Sequence, residues 1–112
     1  FATLSSLNLV DRVERPRVHL EELCRVAAPS GARLLLSDPF SWSGGNAPPE
    51  EWLGGLKEGP FAGYGMDNIQ RLLQEVSPAP WTVERTGATW WTIRNHRNHF
   101  ERIRSEYLVA GR

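Results

Sequence analysis

Phe1-Ala2-Thr3-Leu4-Ser5-Ser6-Leu7-Asn8-Leu9-Val10, then an amphipathic run from Pro16, then Ala32-Arg33-Leu34-Leu35-Leu36-Ser37: this stretch decides the fold. Its first segment is short, apolar and bounded by the charges of Asp11 and Arg12, which is the pattern of a buried strand. Pro16 suits a helical first turn, and Val18, Leu20, Leu23, Val26 and Ala27 recur at helical spacing with Glu21, Glu22 and Arg25 between them. Pro29-Ser30-Gly31 stops that helix, and residues 32–37 form a second apolar strand. Strand, helix, glycine turn and strand within about 35 residues make a parallel βαβ unit, with a right-handed crossover expected.

Working outward, residues 38–65 are rich in glycine and proline and hold Trp42 and Trp52. So long an irregular connection is expected to be a functional loop or lid. Asp67 is placed to cap a helix carrying Ile69, Leu72, Leu73 and Val76. Trp81-Thr82-Val83-Glu84-Arg85 alternates as a strand does, and Glu106-Tyr107-Leu108-Val109-Ala110 reads as the last one. Residues 87–105 between them contain Trp90, Trp91 and a basic, helix-like run. The expectation is strands near 2–8, 32–37, 81–86 and 104–110 and helices near 16–28 and 67–76, an α/β fold amounting to half of an open sheet.

At 112 residues the chain has room for one small domain. Its 13 basic and 13 acidic side chains cancel, so no general attraction draws it to nucleic acid or an anionic membrane. Cys24 has no second cysteine to pair with, which excludes an internal disulfide framework and points to a reducing, cytoplasmic setting. No apolar run approaches the roughly 20 residues that cross a bilayer, and no basic leader precedes an apolar segment. Because Phe1 opens what reads as a buried strand, further sheet elements are expected from upstream or from another chain.

Leu7-Asn8-Leu9-Val10-Asp11-Arg12, followed by Pro16, resembles the Asn-Leu-hydrophobic-Asp-Arg motif after the fourth strand of two related groups of S-adenosylmethionine (SAM)-dependent histidine methyltransferases. One group comprises the mercaptohistidine N-methyltransferases of ovothiol biosynthesis; the other modifies histidine in proteins. The first is the more similar, through Ser37-Asp38-Pro39-Phe40-Ser41-Trp42, Glu51-Trp52-Leu53-Gly54-Gly55, and Ile93-Arg94 with Arg97 and Phe100. Trp90-Trp91, in place of a Pro-aromatic pair, and Asn95-His96 depart from that pattern.

The resemblance implies a class I, Rossmann-like sheet of order 3-2-1-4-5-7-6, of which residues 1–112 supply the C-terminal half: parallel strands four and five and a terminal antiparallel pair. The first three strands, the glycine-rich turn and the ribose-holding acid of the SAM site are not in this sequence. The N-terminal half of the domain is therefore an expected partner, and SAM the expected cofactor, with Leu7 and Asn8 beside it. The implied activity is N-methylation of a histidine imidazole, of 5-thiohistidine or a similar small derivative. Protein histidine is an alternative acceptor, and a non-catalytic methyltransferase-like scaffold is the competing class.

Methyl transfer from a sulfonium needs a lone pair held in line and water kept out, and a neutral imidazole already carries one lone-pair nitrogen. Asn8 and Asp11 follow a strand's carboxyl end, where open α/β sheets bind ligands, and are the leading catalytic candidates. Blander readings stand beside them: Asn8 closes a turn and Asp11 caps the helix. Trp91 is a candidate wall of the substrate pocket or a core residue, with Trp90 the more structural of the two. Arg94 is a candidate partner of a substrate carboxylate or of a surface acid. Trp52 anchors either a lid over the substrate or a packed loop. His96 and His99 are three apart on a presumptive helical face, with no carboxylate or thiol nearby to make a metal site. The cluster Arg94, His96, Arg97, His99, Arg102 and Arg104 is diluted by Glu101 and Glu106 and reads as a solvated basic face rather than a nucleic-acid interface.

Overall fold

Four strands and two helices account for the architecture in the computed structural model, which describes residues 1–112. In chain order they are β1 (Thr3–Leu7), α1 (Pro16–Val26), β2 (Arg33–Asp38), α2 (Gly65–Glu75), β3 (Thr82–His96) and β4 (His99–Gly111), with 3-10 turns at Val10–Arg12 and Pro49–Glu51. The sheet runs β1-β2-β4-β3. β1 and β2 are parallel, with Leu7 opposite Ser37, as the βαβ reading requires. β4 returns antiparallel to β2, from Arg33↔Gly111 to Asp38↔Glu106, and β3 forms the far edge.

Alternation sorts the side chains. Leu34 and Leu36 of β2 and Leu108 and Ala110 of β4 enter one core with Leu20 of α1 and Ile69 and Leu73 of α2, so both helices cover the same face. On the opposite face Leu7 is 55% and Leu35 40% exposed, in a row with Val109 and Tyr107. The sheet thus has one covered face, one uncovered apolar face, and an open edge along β1.

Two expectations are corrected. The basic run between Trp90 and Ser105 is not helical: it is the distal part of a long hairpin whose turn is Arg97-Asn98. Thr89, Trp90, Trp91, Thr92 and Ile93 are aromatic or β-branched, which favours a strand and outweighs the helical spacing of the charges. His96 and His99 consequently face each other across the turn, ring centroids 5.3 Å apart, rather than sharing a helical face. Asp67 also lies inside α2, whose N-cap is Tyr64 with no side-chain cap bond.

The hairpin outruns the rest of the sheet. β2 stops opposite Glu106, leaving residues 89–105 as a two-stranded arm beyond the carboxyl ends of the parallel strands. At about 3.3 Å per residue, β3 accounts for the 49 Å long axis, against 29 and 20 Å for the others.

The connection after β2 is packed. Gly54 lies so close to α2 that a Cβ there would sit 2.5 Å from the Gly65 nitrogen, and Gly55, at φ 74°, lies under the Trp42 indole. Buried Asn68 of α2 donates to the carbonyls of Leu53 and Ala62, holding the loop from inside. No helix is long and apolar enough to cross a membrane.

Candidate functional site

β1 ends in a conformation few side chains adopt. Asn8 sits at φ 54°, a left-handed region that costs most L-residues about 1 kcal/mol or more and that Asn tolerates best. Its N–H remains in the sheet, donating to the Ser37 carbonyl at 2.7 Å, before the chain turns away through Val10–Arg12.

The Asn8 side chain joins residues from three strands. Its Oδ1 accepts from Ser105 Oγ at 2.8 Å and, at 3.5 Å, from Ser37 Oγ. Ser105, fully buried, accepts from the Trp91 indole Nε1 at 2.9 Å. An indole N–H only donates, so the single Ser105 hydroxyl hydrogen remains free, and it goes to the Asn8 carbonyl oxygen. Asn8 Nδ2 is then the free end, with no acceptor in the chain. Asn8 thus presents a donor outward.

Asp11 lies in the interior. Its Oδ2 accepts from the Ser41 N–H at 2.8 Å, while its buried Oδ1 has no hydrogen-bond partner and only the exposed Arg12 guanidinium at 3.8 Å. Asp38, fully buried at the end of β2, accepts from the Phe40 N–H at 2.9 Å and from the Asp11 N–H at 3.4 Å. Burial above all, and then the Asp11 charge, push Asp38 up to about 7. The two acids clip the turn after β1 to the loop after β2, beside Asn8. Asp11 therefore positions this edge from within, and it does not cap α1, whose N-cap is Arg15.

The remaining candidates separate. Leu7, exposed, lies next to Ser37 and Tyr107 on the uncovered face. Tyr107 lies across Gly87, where a Cβ would meet its hydroxyl at 2.5 Å. Trp91 is half-buried on this same face. Arg94, three residues on, points to the other face of the arm, stacks 5.5 Å over the Phe100 ring and donates to the Arg97 carbonyl. Trp52 spends its indole N–H on the Ala47 carbonyl at 2.9 Å, inside the packed loop. The structure thus unites Leu7, Asn8 and Trp91, sets Asp11 beneath them, and leaves Arg94 and Trp52 elsewhere.

Ser105, Ser37 and Asp38 are not among the site residues expected from sequence, although Ser37 and Asp38 lie in a stretch that carries the family resemblance. Asp38 carried a usable signal, an acid directly after an apolar strand. Ser105, between Arg104 and Glu106, carried none, because its role depends on a hairpin register that places it beside a residue 97 positions earlier. No protein-family model and no curated protein matches the sequence.

Proposed function

We propose that this chain is the substrate-side, C-terminal half of a class I, Rossmann-like SAM-dependent methyltransferase domain acting on an imidazole nitrogen of a histidine derivative, with 5-thiohistidine the acceptor that fits best. The observation that carries this reading is the Trp91–Ser105–Asn8 relay at the carboxyl edge of β1 and β2. It is supported by the strand order β1-β2-β4-β3, which has the same sequence of parallel and antiparallel neighbours as the 4-5-7-6 half of that sheet. The carboxyl edge is where open α/β sheets take their ligands.

The residues present fit one flank of SAM and not its cradle. Leu7 and the Asn8 amide are available to it. The acids at this edge, Asp11 and Asp38, are buried and engaged with backbone N–H groups, so neither is free to hold a ribose. On this reading the cradle comes from polypeptide that adds strands to the open edge of β1 and covers the face bearing Leu7, Leu35 and Val109.

What the chain itself does is hold the acceptor. Asn8 Nδ2–H donates to a lone-pair acceptor on the substrate, which on a 5-thiohistidine is the ring-borne sulfur. The ring nitrogen then remains free to react as a nucleophile. The Trp91 face flanks the imidazole and tolerates positive charge developing on it, while Leu7 and Tyr107 exclude water. Orientation of this kind supplies much of the acceleration. The single, partly buried thiol of Cys24 accords with a cytoplasmic setting.

The test is Asn8→Asp in the protein joined to its SAM-binding half. Asp keeps an acceptor for Ser105 but turns the outward donor into an acceptor. A fall in kcat/KM of about a hundredfold, or ~2.7 kcal/mol, is expected with SAM affinity little changed. Unaltered turnover would remove Asn8 from the site.

A further inference from the structure

Beyond Asp38, β4 has a neighbour on one side only. Residues 99–105 pair with β3, and none of their backbone groups bonds to anything outside the hairpin. The outer edge of β3 is interrupted by register shifts at Val83/Arg85 and Arg94/His96, devices that discourage strand pairing, whereas the 99–105 stretch of β4 stays regular until the turn. Where β2 would have continued, a cleft of about 360 Å³ opens between the arm and the loop, lined in part by Phe40, Trp42, Tyr64 and Arg104.

The side chains along this edge carry uncompensated positive charge. Glu106 is taken by Arg104 at 2.9 Å and Glu101 by Asn95 at 2.9 Å. Arg94, Arg97 and Arg102 have no carboxylate partner. The Arg102 guanidinium stacks 4.7 Å over Trp90, and Trp90 and Phe100 are 54% and 55% exposed. On the opposite face Ile103 is partly exposed.

We infer that the outer edge of β4, residues 99–105, is a docking strand for an extended segment of another protein that carries acidic and apolar side chains in alternation. A strand added here answers the free N–H and C=O groups together. Its period of two sends acids toward the unpaired Arg102 and apolar residues toward Ile103. A nucleic acid fits less well: a phosphodiester backbone has acceptors only and leaves the free carbonyls of β4 unanswered, and Trp90 and Phe100 each have one face taken by a guanidinium. This inference does not depend on methyl transfer.

The experiment uses the ¹⁵N-labelled full chain and a synthetic Val-Glu-Val-Glu-Val-Glu-Val peptide, followed by amide shifts and hydrogen exchange. Binding with Kd on the order of tens of micromolar, with new amide protection confined to residues 99–105, is expected. The same peptide N-methylated at alternate amides should bind at least about tenfold more weakly, as should its Lys-for-Glu version. Arg102→Glu should weaken the acidic peptide similarly; Arg97→Glu serves the same purpose if circular dichroism shows Arg102→Glu unfolded. Absence of binding, equal binding of the N-methylated peptide, protection at β1 instead, or displacement of the peptide by oligo-dT would each overturn the inference, as would self-association of the chain through this edge.

Discussion

Replacing Asp38 by Asn should remove a pH-dependent loss of stability that the buried acid pair imposes. Asp38 is held near 7 in the fold, against 3.8 for a free carboxyl, chiefly by burial and next by the Asp11 charge. The folded state therefore binds this proton more tightly than the unfolded one. The sign follows: stability is greatest below about 3.8, falls as pH rises toward about 7, and levels off above. A separation of about three pH units at about 1.4 kcal/mol each sets a ceiling of roughly 4 kcal/mol on the effect. Asn at this position keeps an acceptor for the Phe40 N–H, gives up only the long 3.4 Å bond from the Asp11 N–H, and removes the charge next to Asp11. Urea unfolding followed by tryptophan fluorescence at pH 4.5, 6 and 8 should show wild type and Asp38→Asn converging at the acid end and the variant ahead at pH 8. His19 is lowered by burial and acts in the opposite sense, losing stability as pH falls below 6.5, but it is common to both proteins and cancels in the difference. Parallel pH profiles for the two would refute a raised proton affinity of Asp38 in the fold.

Gly54→Ala drives a Cβ into backbone atoms of Gly65 at 2.5 and 2.7 Å, so calorimetry should show a loss of roughly 3 kcal/mol or more. Gly87→Ala meets only the Tyr107 ring, which can swing aside, and should cost about 1 kcal/mol; equal losses would contradict the packed-loop account. Trp91→Phe keeps an aromatic wall but frees Ser105 from its donor, letting the hydroxyl and the Asn8 amide reorient. Its melting temperature should stay within several degrees of wild type while kcat/KM falls about tenfold, and full activity would make the relay dispensable.

Local pattern carried the sequence reading as far as local pattern decides structure. Residues 1–37 alternate, recur and stop where a βαβ unit needs them to, and β1, α1 and β2 form there as a parallel pair with its crossover. The arm was misread because charged residues three apart imitate a helical face, whereas the aromatic and β-branched residues between them pair across the hairpin. Asn8 was legible from its place after a strand. Its donor-outward orientation was not, since that depends on Ser105 and Trp91, both from the hairpin. Arg94 looked close to Trp91 in sequence, but an odd spacing in a strand sends the two to opposite faces.

The central claim, that Asn8 and Trp91 present an imidazole for methylation, is tested most directly by following a labelled methyl group. The chain, joined to the SAM-binding half that the proposal calls for, is incubated with SAM bearing a CD₃ group, together with 5-thiohistidine or histidine, and products are read by mass spectrometry and NMR. The account predicts CD₃ on a ring nitrogen of 5-thiohistidine, slower reaction of histidine, and loss of product with Asn8→Asp. Absence of any N-methylated imidazole, or equal product from Asn8→Asp and wild type, would contradict it.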